Sequence, residues 1–372
     1  MAKDIAKDMS KARNARGGTG PAEPSMERPA FAYDRYERMP YRRCGRSGLM
    51  LPAVSLGGWK AIGGYRDDAT SRRIIFRAFD LGITHFDFAN NYGTPPGASE
   101  WLFGRLLKDM PRDELIVSSK AGYRMWPGPY GDWGSRKYLI ASCEASLKRL
   151  GLDYVDIFYS HRVDPDTPLD ETLGALETLV RQGKALYAGV SNYRDPHFTD
   201  AVQLCRARGW APITIHQPCY NLLDRDIASD VLPTAERLGV GVIAFCPLAQ
   251  GLLTGRYLDG IPAGSRAAQA GEWIRERLTP EMVARLRALD VIAKRRGQTL
   301  SQMALAWLLR DPRVTSVLIG ASSVEQLEEN VACRDNAAFS DEELAEIDGA
   351  CLGTAPTTRK SSTSSRRTRS QS

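Results

Sequence analysis

Short apolar runs and amphipathic stretches alternate eight times between Ala53 and Cys333, and that beat restricts the chain more than any other feature. The runs expected as strands are Ala53–Leu56, Thr84–Phe88, Leu115–Ser119, Val155–Ser160, Leu186–Val190, Ile213–His216, Gly241–Phe245 and Thr315–Ile319. Most are rich in β-branched and aromatic residues, as strands covered on both faces are. The expected helices are Thr70–Leu81, Ser99–Lys108, Ser135–Leu150, Leu169–Gln182, Pro196–Arg208, Ile227–Leu238, Leu300–Leu309 and Val324–Cys333. Their apolar residues recur at three- and four-residue spacing, the period of one helix face. Gly82, Gly151, Gly183 and Gly239 stand just past helix ends, the usual place for a glycine there. Strands alternating with helices form a parallel sheet with helical crossovers, and eight such units close it into a ring. The expected fold class is therefore α/β, a (β/α)8 TIM barrel. An open doubly wound sheet would want a Gly-x-Gly-x-x-Gly turn after the first strand, where this chain has Gly57-Gly58-Trp59-Lys60.

Three segments decorate that ring. Tyr41–Cys44 and Leu49–Leu51 flank Gly45-Arg46-Ser47-Gly48, the pattern of an N-terminal β-hairpin that plugs one end of the domain. Ser340 and Glu343 form a capping box that opens an extra C-terminal helix running to about Leu352. From Gly251 to Thr299 the beat lapses, and loops of that length are functional or disordered. The expected organisation is a disordered tail over 1–40, a barrel domain over 41–352 and a disordered basic tail over 353–372.

Charge is unevenly spread. The net charge is +6, yet residues 353–372 hold Arg359, Lys360, Arg366, Arg367 and Arg369 with no acid, and residues 1–40 hold eight basic and six acidic side chains. The barrel segment is left with a net charge of −1, so it offers no basic face for nucleic acid. No apolar run approaches the ~18 residues of a membrane span, and the N-terminus lacks a secretory pattern. Seven scattered cysteines without a Cys-x-x-Cys pair fit reduced thiols and a cytoplasmic protein, and no His/Cys/carboxylate spacing suggests a metal.

Chemistry-bearing residues collect where strands end, the edge at which barrels of this kind do their work. Asp87 ends one strand and Tyr92 follows on the loop Asn90-Asn91-Tyr92-Gly93. Lys120 ends the next strand and His161 the one after. A phenol is a weak acid at neutral pH, and an ammonium beside it lowers its pKa. A buried carboxylate such as Asp87 would hold that ammonium. The set suits protonation of a carbonyl oxygen while a hydride reaches the carbonyl carbon. His85, His197 and His216 have no chemical partner visible in the sequence, and His85 reads as a packed histidine.

The run Gly82–Gly93, with Lys120 and His161, resembles the aldo-keto reductase superfamily over roughly Tyr41–Leu352. Further agreement lies in Gly189-Val190-Ser191-Asn192-Tyr193, His216-Gln217-Pro218, Phe245-Cys246-Pro247-Leu248-Ala249-Gln250-Gly251 and Leu318-Ile319-Gly320-Ala321-Ser322. Trp126-Pro127-Gly128-Pro129-Tyr130-Gly131 and Gly251-Leu252-Leu253-Thr254-Gly255 point to the branch containing potassium-channel β subunits and bacterial reductases of L-glyceraldehyde 3-phosphate.

The resemblance implies Tyr92 as general acid, Lys120 lowering its pKa, Asp87 holding Lys120, and His161 orienting the carbonyl. It implies NADP(H) as cofactor: Ser191, Asn192 and Gln217 on the carboxamide and Phe245 stacked on the nicotinamide. Cys246, Leu248, Gln250, Gly251 and Leu252 would follow the pyrophosphate. Arg256 and Arg266 would clamp the 2′-phosphate, with Ser322, Gln326 and Asn330 at the adenosine. Trp59 and Trp126 sit on rim loops where aromatic walls shape a substrate pocket, and Trp59 is expected to touch cofactor as well. Lys60, Arg124 and Arg162 are rim cations that could meet a substrate phosphate. The expected partner is a small aldehyde, and the branch implies a homo-oligomer, tetramer or octamer. The rival expectation is a cofactor-sensing regulatory subunit.

Overall fold

The computed structural model describes residues 31–269 and 274–352. The expected disorder of 1–30 and 353–372 lies outside the described residues. Eight parallel strands close into a barrel in chain order, and a separate two-stranded sheet precedes them. The hairpin strands are β1 (Tyr41–Arg43) and β2 (Met50–Pro52). The barrel strands are β3 (Val54–Gly57), β4 (His85–Asp87), β5 (Ile116–Ala121), β6 (Val155–Ser160), β7 (Ala185–Ser191), β8 (Ile213–Gln217), β9 (Gly241–Ala244) and β10 (Val314–Ile319). Closure is made by β10 on β3, with Val317 opposite Val54. Every expected strand forms, its ends moved by two residues at most.

Local chemistry explains where helices start and stop. Ser135 accepts from the amide of Tyr138, Thr299 and Gln302 make a full capping box, and Gly151 and Gly239 close their helices in the left-handed region. Ser340 and Glu343 bond reciprocally at 2.9 and 3.2 Å, and the last helix runs Asp341–Leu352. One expected helix is shorter than its apolar spacing suggests. It begins at Val231, not Ile227, and Asp226–Ala228 is a separate 3-10 turn. Pro233 lacks an N–H and its ring would collide with the carbonyl of residue 229 in a continuous helix, so it is tolerated only in the first turn. Residues 31–40, assigned to the tail on composition, pack on the barrel. Phe31 meets Phe79 edge-on at 4.8 Å, Ala32 donates to Asp80 at 2.8 Å, Arg35–Arg38 form one helical turn and Met39 is buried.

The barrel interior is divided. One side is apolar: Ile157, Tyr159, Ile215, Ile243 and Leu318 pack with Cys44, Leu49 and Leu51 from the hairpin. Gly241 must be glycine there, because a Cβ would lie 2.2 Å from the Cys44 sulfur. The other side, formed by β10, β3, β4 and β5, carries the buried polar side chains Ser316, Ser55, His85 and Ser118. The helices cover the outer face in a second, larger core. Among the described residues no helix is long and apolar enough to cross a membrane.

Because Leu51 is fully buried in the inner cluster, Leu51→Ala removes packing that no neighbour replaces. It is expected to cost about 2–5 kcal/mol of stability, read as a lower urea midpoint. An unchanged midpoint would show that the hairpin does not help hold the barrel.

Candidate active site

Asp87 is the last residue of β4, opposite Ser118, and Lys120 is the penultimate residue of β5, two residues farther along, so neighbouring strands deliver the carboxylate and the ammonium to the same edge. Both side chains are fully buried and form a salt bridge. The Lys120 ammonium also donates to the Phe88 carbonyl at 2.7 Å. The other carboxylate oxygen, Oδ1, accepts from Ser118 Oγ at 2.6 Å and from Gln217 Nε2 at 3.3 Å. An ammonium has three hydrogens, so one remains beyond these two bonds.

The loop after β4 keeps pairing with β5: Phe88 donates to Ser118 and Asn90 to Lys120, each at 2.9 Å. It then turns at Gly93, with φ at +101° and no room for a Cβ, which would meet the Ser99 amide at 2.6 Å. That turn sets the Tyr92 ring 5.3 Å from the Lys120 ammonium and 5.9 Å from the His161 ring. No hydrogen bond joins the Tyr92 hydroxyl to Lys120 among the described residues. His161 follows β6, its amide bonded to the Ala121 carbonyl at 2.9 Å. Asn192 Nδ2 donates to the His161 carbonyl at 3.0 Å.

Burial dominates the electrostatics. The Tyr92 phenol is pushed well above its usual value, first by desolvation and then by the Asp87 charge, Cys246 and Tyr123. The sequence suggested the opposite direction, an ammonium lowering the phenol. Lys120 is bound to Asp87, which offsets its field, and the buried phenol keeps its proton. His161 is held well below the usual imidazole value by burial, with Lys120 and Arg162 acting in the same direction, and is therefore neutral. Its Nδ1 is buried without a partner among the described residues. A bare acceptor is tolerated there more readily than an unpaired donor, so the hydrogen sits on Nε2.

These residues open on a cavity of about 970 Å³ at the carboxyl ends of the strands. Asp87, Tyr92, His161 and Trp59 line it, together with Ser191, Asn192, Gln217, Phe245 and Cys246 at the ends of β7, β8 and β9. Leu248, Gln250, Gly251, Arg256 and Arg266 line the side made by the long segment, and Ser322, Gln326 and Asn330 the side after β10. Cys246, Ala249 and Gln250 all have positive φ within five positions. Such strain persists only where surrounding structure enforces it, and it clusters at ligand sites. Arg266 reaches back across the opening to within 5.5 Å of the Trp59 ring.

Three expected residues do not line the cavity. Lys120 is fully buried and reaches the cavity only through its partner Asp87, which does line it. Leu252 is fully buried in the outer core. Trp126 turns its ring to Tyr138 at 5.2 Å. Among the rim cations, Lys60 lines the cavity and Arg124 does not, whereas Arg162 is bonded to Asp132 and the Gly122 carbonyl and lies 3.4 Å from the Trp133 ring. Sequence reasoning passed over Tyr123, which lines the cavity and meets His161 edge-on at 4.7 Å. It stands three residues past Lys120, within reach of the same strand-end logic. Also passed over were Arg66, whose Nη1 ties the carbonyls of Ala61 and Ala321, and Glu329, which accepts from Ser301 at 2.6 Å. Among the described residues no cluster of His, Cys, Asp and Glu could hold a metal ion.

Comparison with known proteins agrees with this geometry. Residues 53–351 match the model of the aldo/keto reductase family. The chain is 57% identical over 325 residues to L-glyceraldehyde 3-phosphate reductase of Escherichia coli K12, covering 85% of this chain and 93% of that protein. The same values hold for the enzyme of that name from Escherichia coli O157:H7. It is 39% identical over 308 residues to a potassium channel β-subunit-like protein of Schizosaccharomyces pombe, covering 79% and 88% of the two chains. A barrel with acid, phenol, ammonium and imidazole at one rim, and a family match running through nearly all of it, lead to one conclusion: the chain belongs to the aldo/keto reductase family and is an oxidoreductase.

Proposed function

We propose that the chain reduces small aldehydes to alcohols with NADPH, taking a short α-oxygenated aldehyde such as L-glyceraldehyde 3-phosphate or methylglyoxal. The observation that carries the reading is the Asp87–Lys120 pair, fully buried against the Tyr92 ring. NADPH fits the residues present. The strand-end amide and hydroxyl groups of Ser191, Asn192 and Gln217 suit the carboxamide, and Phe245 offers a face for the nicotinamide ring. The left-handed run at Cys246–Gly251 brings backbone close to the cavity, as a pyrophosphate requires. Arg256 and Arg266 supply cations for a 2′-phosphate. When bound, the nicotinamide supplies the hydride.

The chain's own part is protonation and orientation. Tyr92 holds its proton at neutral pH, as a phenol with an ordinary pKa near ~10 already does, and burial with the Asp87 charge raises it further, so the acid form is the resting form. As the carbonyl oxygen gains charge it becomes far more basic than a phenolate, and the proton moves from the Tyr92 oxygen to it. The phenolate left behind is stabilised by Lys120, whose remaining hydrogen is not committed to Asp87 or Phe88. The neutral His161 donates from Nε2 to the carbonyl oxygen and fixes its direction. Tyr123 and Trp59 supply aromatic walls to the opening.

Tyr92→Phe is expected to lower turnover by about 100-fold or more, the weight of a general acid, while NADPH affinity is kept. Wild-type turnover in that variant would refute the assignment. Arg256→Ala with Arg266→Ala should weaken NADPH by roughly 100-fold or more while NADH binding is unchanged, since each of the two lost charge-assisted bonds is worth about 1.5–3 kcal/mol. Equal loss for both nucleotides would show that the arginines do not read the 2′-phosphate. Because burial lowers His161 and raises Tyr92, neither gains nor loses a proton near neutrality. The kcat/KM for reduction should therefore stay flat from about pH 6.5 to about 9, whereas an ordinary imidazole would impose a break near ~6.5. Products from L-glyceraldehyde 3-phosphate and methylglyoxal with each nicotinamide would identify the substrate. Turnover below about one per minute on both, against the roughly 1–1,000 per second of typical enzymes, would favour a cofactor-sensing subunit instead.

A further inference from the structure

The polar half of the barrel interior is a continuous chain of hydrogen bonds that ends on Asp87. Ser316 Oγ lies 2.7 Å from Ser55 Oγ, and Ser55 Oγ lies 3.0 Å from His85 Nδ1. His85 Nε2 lies 3.0 Å from Ser118 Oγ, which donates to Asp87 Oδ1 at 2.6 Å. All five side chains are at 0% exposure, shut off from bulk solvent. His85 and Asp87 share one face of β4, and the other members come from β10, β3 and β5 on either side.

The direction of every link follows from proton counting. The Asp87 carboxylate, paired with the Lys120 ammonium, only accepts, so Ser118 spends its single hydrogen on it. Toward His85, Ser118 can then only accept, which puts a hydrogen on Nε2. Burial pulls His85 down to about 4, with the Asp87 charge opposing and Lys120 assisting, so at neutral pH the ring has one hydrogen and Nδ1 is bare. Ser55 must donate to that Nδ1, and toward Ser55 only Ser316 can then donate, at 2.7 Å against the 3.4 Å it keeps from the Ala53 carbonyl. Each donor polarises the next, and all the dipoles point toward Asp87.

We propose that His85, locked as the Nε2–H tautomer between Ser55 and Ser118, is a positioning residue for the reaction: it orients the Ser118 hydroxyl, which fixes Asp87 and through it Lys120 beneath Tyr92. This rests on the reading of Tyr92 as the acid served by Lys120. His85 touches neither cavity nor substrate; its effect passes through Ser118. Without His85, Ser118 loses the donor that fixes its hydroxyl from the far side, and its bond to Asp87 Oδ1 is held from one end only, beside the longer bond from Gln217. The sequence reading of His85 as a packed histidine describes its burial and misses its bonds.

The test uses the full-length chain with 15N-labelled histidine. It has four histidines, and the resonances missing in His85→Gln assign the ring. At neutral pH His85 is expected to show a protonated Nε2 and a bare Nδ1; an Nδ1–H tautomer or a cation overturns the proposal. In kinetics, His85→Phe keeps the ring's bulk and breaks both bonds. It should lower kcat about fivefold, the size of one buried hydrogen bond, with NADPH Kd and aldehyde KM unchanged. His85→Gln, which retains one donor and one acceptor, should restore most of kcat. A folded His85→Phe with wild-type kcat, or a loss confined to Kd or KM, overturns it. If His85→Phe does not fold, the tautomer and the His85→Gln rate decide. Failure of the function itself is separate: Tyr92→Phe would then retain turnover whatever the His85 tautomer.

Discussion

One buried ion pair organises this molecule. Asp87 and Lys120 come from adjacent strands and are both out of reach of water. Isolated, either charge would be very costly in that environment; together, and with their remaining valences met, they are tolerated. Ser118, Gln217 and the Phe88 carbonyl meet those valences. The pair thus draws on β4, β5 and β8, and its position at the carboxyl edge requires the barrel to close with these strands in register. What the pair gives the site is a fixed cation under a phenol that burial keeps protonated. The acid is ready because a phenol shifted upward keeps its proton throughout the neutral range, and the cation matters once the proton has left.

The divided interior follows from that need. A uniformly apolar barrel would leave Asp87 without donors from below. Instead β10, β3, β4 and β5 carry hydroxyls and an imidazole that satisfy one another, and β6, β8 and β9 carry the large apolar residues that pack against the hairpin. A buried polar network with every member partnered orders its surroundings, while one with a missing member is a liability. The apolar half runs from the hairpin, packed on Cys44, Leu49 and Leu51, up to Tyr159 and Leu318 beside the site.

The ring of strands was readable because each strand is buried on both sides and appears as a short apolar run, and because Gly82, Gly151 and Gly239 mark helix ends. The four residues at the rim were readable for a related reason: a polar side chain ending an apolar run is conspicuous. Less was visible where a single residue overrules a pattern. Pro233 delays a helix that apolar spacing starts at Ile227. Residues 31–40 look like tail by composition, yet Phe31 and Met39 find apolar surface that only the folded barrel creates. Trp126 was expected at the pocket and faces Tyr138 instead, because loop direction is not encoded in loop composition. The direction of the Tyr92 shift also depends on burial and on Asp87 offsetting Lys120, which a linear motif does not display. His85 is the clearest case: its partners Ser55 and Ser118 are about thirty residues away on either side, and only the closed sheet makes them neighbours.

The most direct test of the central ion pair is a double-mutant cycle on stability and turnover together, with Lys120→Met, Asp87→Leu and the double variant. The account predicts that each single change costs about 3–5 kcal/mol by stranding a buried charge, that the double variant regains most of that stability, and that none of the three regains turnover. Additive losses of stability, or turnover surviving in any of them, would contradict it.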